Sequence, residues 1–269
     1  MKHLDTHRFG KLLVWTAQSN KTEILRALTM LFIICFGFQM MPALLCLAHG
    51  SATFLADYLH VWFNMISLIL GAYIWISGIR IFRNMLTKEQ RINYLMLPAT
   101  DLEKWLVRIV YIFTVYIVGG ILVFVVADLL RMGFYLLFYG DYVASATVFV
   151  WDFLHILNPA LNDKNLALFV LFVSGTVWSH SFFLLGGTLF RKQPFIFSSF
   201  MMFLLALLLG SILDFIHSHV LISLSRDELN LVFYAVASAG FALTVMHYWL
   251  SYKIFHHMQV INNKWLNVL

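Results

Sequence analysis

The chain has 269 residues, of which 61% are hydrophobic and only 12% charged, with 26 Phe and a mean hydropathy of +0.83. Soluble globular domains are about half apolar and about one-quarter charged, so this composition lacks the polar surface that a water-soluble fold needs. The formal net charge of +5 would suggest nucleic acid in a soluble chain. Here the basic residues sit mainly in loops between apolar runs, which points to a lipid membrane and away from nucleic acid.

Residues 1–23 precede the first apolar run. Phe9, Leu12, Leu13, Val14 and Trp15 are mixed with Arg8, Lys11, Gln18 and Lys21. That mixture suits an interfacial helix with its apolar side in the headgroup layer, a partly disordered tail being the plainer alternative. The polar lead is too long, and the run after it exceeds the roughly 7–15 residues of a signal-peptide core, so no cleavable signal is expected.

Crossing a bilayer about 30 Å thick takes about 20 apolar residues. Six spans are expected, at 24–48, 61–82, 105–130, 166–190, 195–216 and 229–250. The apolar stretch 132–156 is interrupted by Gly140, Asp141, Asp152 and His155, and is expected to be interfacial or re-entrant, with a seventh span as the competing reading. With the N-terminus cytoplasmic, six spans place 15 of the 18 Lys and Arg residues inside and leave Arg131, Lys164 and Arg226 outside, the asymmetry of the positive-inside rule. Seven spans would put Arg191, Lys192, Lys253 and Lys264 outside. The expected architecture is therefore all-α and integral to the membrane, with six transmembrane helices and both termini cytoplasmic. It forms one domain over 1–269, with a cytoplasmic loop at 84–104 and an external interfacial segment at 131–164. Cys35 and Cys46 share one apolar segment and define neither a disulfide framework nor a metal motif.

The longest polar interruption is Thr87–Arg108. Thr87-Lys-Glu-Gln90 and Thr100-Asp-Leu-Glu103 both fit the capping box, in which a hydroxyl accepts from the first turn and a later Glu or Gln bonds back. Two helix starts are predicted, near Lys88 and Asp101, separated by Pro98, which disfavours helix at Leu97. The first helix carries Ile92, Leu95 and Met96 on one face, flanked by Arg91 and Asn93. So short a helix needs a surface to lie on, either the headgroup layer or a groove on a soluble partner.

The stretch INYLMLPATDLEKWLVR resembles the cytoplasmic loop of ABC-2-type permeases, the membrane subunits of ABC exporters, in a variant similar to permease-like proteins of Bacteroidota. The family pattern Leu-x-x-Leu-Pro-[Ala/Val]-[Ser/Thr] has a near match in Leu-Met-Leu-Pro-Ala-Thr at 95–100, one residue short between the leucines. The resemblance implies a loop that docks on an ATPase subunit, with Arg91, Ile92, Tyr94, Leu95, Met96 and Pro98 touching it. It also implies a second permease chain, a bacterial inner-membrane location and an exported substrate of unknown identity. This chain has no G-x-x-x-x-G-K-[S/T] phosphate loop, so ATP and Mg would belong to the partner and no cofactor to the chain itself.

A second constellation is Asp128, Asp152, His155, Asp214, His217 and His219, all at or near expected external span ends. Carboxylate and imidazole three residues apart suit a divalent metal or a proton relay, while interfacial polar residues satisfied by water and caps are the plain account. His180 and His247 fall inside expected spans, and a neutral His bonded to a neighbour explains each. Gly119–Gly120, Gly175 and Gly186–Gly187 suit close helix approach or a hinge. The rivals to a transporter subunit are a membrane-embedded metalloenzyme using the Asp/His set and an assembly protein that keeps the permease fold without transport.

Overall fold

A computed structural model describes residues 5–49, 65, 68–85, 87–139, 163–219 and 225–258. Five helices in it are long and apolar enough to cross a membrane: Lys21–Met41, Asp101–Phe138, Leu166–Leu189, Pro194–Ile212 and Asp227–His256. Each falls on one of the six expected spans. The remaining one, 61–82, lies partly outside the described residues, and its second half comprises a helix at 68–77 followed by the 3-10 segment Gly78–Met85.

In chain order the helices are α1 (Thr6–Ser19), α2 (Lys21–His49), α3 (residues 68–77), α4 (Lys88–Leu95), α5 (Asp101–Ile112), α6 (Gly119–Tyr139), α7 (Asp163–Leu189), α8 (Pro194–His219) and α9 (Arg226–His256). They divide between two compact units. One comprises Met1–Leu12, Trp75–Ile109 and Leu157–Leu269, the other Leu13–Ile74 and Val110–Ile156.

Helix α1 starts on Asp5, whose side chain accepts from the amides of His7 (3.0 Å) and Arg8 (3.3 Å). A carboxylate there satisfies first-turn donors that have no partner within the helix. The helix buries Leu12 and Thr16, with Asn20 beyond its end continuing the four-residue spacing, and it leaves Val14 and Trp15 exposed.

In the second unit α2 packs along α6 around Leu31, Cys35, Phe124 and Ala127, all buried. Leu28 meets Gly119 and Leu31 meets Gly120, so the two helices run parallel. Helices α5 and α6 are joined through a π-helical turn, Phe113–Val118, into one continuous 38-residue apolar rod. A wider turn of this kind rotates everything that follows it about the axis. It also buries Tyr116, whose ring lies 6.2 Å from those of both Tyr73 and Tyr111. The rod bears on the segment expected at 131–164 only over its first residues. The segment from 131 onward begins as a continuation of the helix to Tyr139, because residues 132–138 are as apolar as the span before them; residues 140–162 lie outside the described residues. At 1.5 Å per residue, 38 residues extend to about 57 Å, well beyond the roughly 30 Å hydrocarbon core.

In the first unit α7 and α9 run side by side through a layer of small polar groups. Ser174 donates to the Ala237 carbonyl (2.7 Å), Ser181 meets His247 Nδ1 (3.0 Å), and Thr188 meets Ser251 (2.8 Å). Numbers rise together on both helices, so these too are parallel. Hydroxyls bonded across helices hold apolar rods together where lipid offers no hydrophobic drive between them. The 3-10 segment lies backbone against backbone on α7. A Cβ at Gly78 would fall 2.8 Å from the His180 carbonyl oxygen, and one at Gly187 would fall 2.5 Å from that of Ile79. Close approach, rather than a hinge, is what Gly187 provides here. Helix α8 turns Phe200, Phe203, Leu207 and Leu208 outward, an apolar exterior that suits lipid better than water. Its start is a tight turn in which Gln193 takes φ 51°, the left-handed region that disfavours a residue with a Cβ by roughly 1–2 kcal/mol. Pro194 follows at the first helical position, where its missing amide proton costs nothing.

Candidate docking site

Both helix starts in 87–104 form by the side-chain chemistry their sequences carry. Thr87 is extended (φ −88°, ψ 156°), accepts from the Gln90 amide at 3.2 Å and receives the Gln90 side chain on its own amide at 3.4 Å. Thirteen residues later the arrangement repeats: Thr100 Oγ1 accepts from the Glu103 amide at 3.3 Å, and the Thr100 amide donates to Glu103 Oε2 at 2.8 Å. Between them α4 ends with the Met96 amide bonded to the Ile92 carbonyl at 3.0 Å. The Ala99 amide bonds the Leu97 carbonyl at 2.8 Å across Pro98, a three-residue turn that reverses the chain.

The loop is fastened on its inner side. Tyr94, buried, donates its hydroxyl to the Lys104 carbonyl (2.6 Å), and Lys104 Nζ returns a bond to the Leu95 carbonyl (2.6 Å). The Arg108 guanidinium lies 4.3 Å above the Tyr94 ring centroid, a cation–π arrangement strengthened by desolvation. Phe255 of α9 meets the Tyr94 ring edge-on at 6.4 Å and stacks on Phe82 at 5.0 Å. Arg8 of α1 holds the fully buried Glu103 with two bonds, and Asp5 adds a backbone amide at 3.0 Å. Asp101 pairs with His256 at 2.9 Å, and Trp105 Nε1 donates to Ser251 at 3.2 Å. The loop is thus tied to α1, to α9 and to the 3-10 segment.

The outer side carries exposed Lys88, Glu89, Gln90 and Asn93 together with a small apolar set. Met96 is 77% exposed, Ile92 36% exposed, Pro98 exposed and Leu95 half-buried. Arg91 and Tyr94, placed by resemblance among the partner-touching residues, are instead buried. Tyr94 serves the internal fastening, and Arg91 reaches a cavity on the loop's inner flank. That leaves Ile92, Leu95, Met96 and Pro98 as the surface offered.

The cavity, about 930 Å³, is bordered by Arg80 and Arg83 of the 3-10 segment, Arg91 of α4, and Arg191 and Lys192 at the α7–α8 turn. Burial pulls the Arg91 pKa below its ordinary value, and the nearby charge of Arg191 adds to the effect. In the sequence Arg80, Arg83, Arg191 and Lys192 serve only to orient the chain, and the resemblance places Arg91 among the partner-touching residues. Arg80 and Arg83 at i, i+3, together with adjacent Arg191–Lys192 beside aromatic span ends, were the available signal.

The Asp/His constellation has a different outcome. Asp128 is buried on α6 and paired with Arg131 one turn on, at 2.9 Å, so its carboxylate is engaged within its own helix. Asp214 is exposed on α8, and His217 and His219 lie on that helix's last turn. Asp152 and His155 lie outside the described residues. Among the described residues no three His, Cys, Asp or Glu side chains are placed to hold a metal ion. His180 Nδ1 is 3.4 Å from the Tyr248 hydroxyl, and His247 Nδ1 meets Ser181, so both histidines belong to the polar layer between α7 and α9.

Comparison with known proteins gave no match to any family model, to any curated protein or to any solved structure.

Proposed function

We propose that this chain is the membrane subunit of an ABC-2-like exporter of the bacterial inner membrane. It would have six spans with both termini cytoplasmic, and would work with a second permease chain and separate ATPase subunits that bind ATP and Mg. The observation that carries the reading is the 87–104 element. It is a doubly capped stub fastened inward to α1, α9 and the 3-10 segment, and its free side presents Ile92, Met96 and Pro98. A headgroup-layer helix needs a broad apolar stripe. A helix of 8 residues with two or three apolar contacts fits a groove on a protein better. Closure of an ATPase beneath the stub would push α9 and α5 through the Asp101–His256 and Trp105–Ser251 bonds, which is a means of converting nucleotide binding into movement of membrane helices.

The parallel pairs support the topology. Helix α2 alongside α6 and α7 alongside α9 each require one opposite crossing between them, which α8 supplies for the second pair and the 61–82 span for the first. With three spans in each half and the loops of 84–104 and 190–193 on one side, the basic residues collect on that side, as the positive-inside rule asks.

The test is affinity purification of the tagged chain from its native membrane, with identification of bound proteins by mass spectrometry and an ATPase assay of the complex. An ATPase chain bearing a phosphate loop is the expected companion. A purified complex without any such chain, and without ATP hydrolysis, contradicts the reading.

A further inference from the structure

The π-helical turn Phe113–Val118 takes up one extra residue of chain between the α-helical stretches it joins. An α-helix turns by about 100° and rises by about 1.5 Å per residue. Every side chain beyond the turn is therefore set back by one helical step from its place in an unbroken helix. The buried face of α6 so obtained consists of Gly120, Phe124, Ala127, Asp128, Arg131 and Tyr135. Straightening the turn into α-helix would hand each of these seats to the residue before it: Gly119, Val123, Val126, Ala127, Leu130 and Phe134.

The second set fits the seats of the first. The tightest seat is beside Tyr73, where a Cβ on Gly120 would fall 2.8 Å from Cε1, and the residue before Gly120 is again a glycine. Phe134 would replace Tyr135, aromatic for aromatic. Val126 fills more space than Ala127, and Val123 fills less than Phe124 in the same cluster. The one change of character is at the Asp128–Arg131 ion pair (2.9 Å), which would give way to Ala127 and Leu130. Asp128 would then stand where Leu129, 60% exposed, stands now. Charge turned towards lipid is costly, which favours the π-helical register.

The local bonding and packing suit passage between the two. The Gly119 amide is shared between the carbonyls of Thr114 and Tyr116, on either side of the four-residue α-helical bond. What a Cβ would meet at Gly119 and Gly120 is the Leu28 side chain and the Tyr73 ring. Side-chain ends can give way, whereas the Ile79 backbone against Gly187 cannot.

We propose that the π turn is a rotary switch that gives α6 two registers one helical step apart. In one the Asp128–Arg131 pair is buried; in the other the turn is α-helical, the buried face is apolar and the pair is turned outward. The switch goes beyond the exporter reading and holds with or without an ATPase partner.

Cys35 reports the register, because it lies in the same buried cluster as Ala127. In the full-length chain carrying Cys46→Ser, held in nanodiscs, Ala127→Cys, Val126→Cys and Val125→Cys are introduced one at a time. Each is crosslinked to Cys35 with a short bismethanethiosulfonate and followed by mass spectrometry. Ala127→Cys should react fastest, and Val126→Cys at about one-tenth of its rate, the signature of a minor register. Val125→Cys, which neither register brings to that seat, should stay at background. Deletion of Val115 removes the extra residue and keeps the present buried face on a straight helix. There Ala127→Cys should hold its rate and Val126→Cys should fall to background. Asp128→Leu/Arg131→Leu removes the cost of turning charge outward and should raise the Val126→Cys rate about threefold or more. Val126→Cys that reacts no faster than Val125→Cys, or that is unaffected by deletion of Val115, overturns the proposal. Where the shortened chain folds poorly, the Asp128→Leu/Arg131→Leu variant decides, and an unchanged Val126→Cys rate there overturns it.

Discussion

Glu103 takes the Arg8 guanidinium in a two-point grip, Nε to Oε2 at 2.9 Å and Nη2 to Oε1 at 2.6 Å, across 95 residues of sequence. The same carboxylate accepts the amides of Asp5 and Thr100. One side chain therefore closes the cap of α5 and anchors the start of α1. Replacing it by Ala leaves two backbone donors and a guanidinium without their acceptor. Glu103→Ala should cost about 2–3 kcal/mol, seen as a lower melting temperature in detergent. Glu103→Gln should fall between that variant and wild type, because the amide still accepts from Thr100 but loses the ionic grip. Equal stability of Glu103→Gln and wild type would show that the ion pair contributes nothing.

Tyr94 tests the inner fastening of the stub. Tyr94→Phe keeps the ring beneath Arg108 and against Phe255 but removes the 2.6 Å bond to the Lys104 carbonyl. A cost of about 1 kcal/mol is expected, together with faster proteolysis in 96–100. Tyr94→Ala removes a fully buried ring and should cost about 3–5 kcal/mol. Thermal unfolding and limited proteolysis of the two variants check both outcomes.

Two glycines on one helix separate packing from propensity. At Gly187 an added methyl would fall on the backbone of Ile79, whereas at Gly175 nothing lies within 4 Å. Gly187→Ala should destabilise by about 1–3 kcal/mol, because backbone cannot move aside as a flexible side chain can. Gly175→Ala should be neutral or slightly stabilising, since Ala is the better helix former. Comparable losses at both positions would mean that α7 and the 3-10 segment are not in backbone contact.

The sequence was most legible where structure is decided locally. The two capping boxes need only residues three apart, and both formed at Thr87 and Thr100. Span positions follow from apolar length, and five of the six expected carry a long apolar helix. What could not be read were features made by distant partners. A helix as short as α4 has no period from which to choose its buried side, and the choice falls to Arg108 and Phe255, which hold Tyr94 inward. The continuation of α6 past Arg131 was hidden for a related reason. Arg131 and Asp128 look like the charged border of a span, yet each neutralises the other within one turn, and the helix carries both through. The basic cavity is likewise assembled from three stretches that share no local pattern.

The central claim is that the outward side of the 87–104 stub receives an ATPase. The most direct measurement is the amount of ATPase chain that co-purifies with Ile92→Asp/Met96→Asp, relative to wild type. Both residues are exposed, so the variant should fold and reach the membrane normally. A buried carboxylate in an apolar groove is strongly disfavoured, and at least a tenfold loss of bound ATPase is predicted, with loss of ATP hydrolysis in the purified complex. Undiminished ATPase recovery with the double variant would contradict docking through this face.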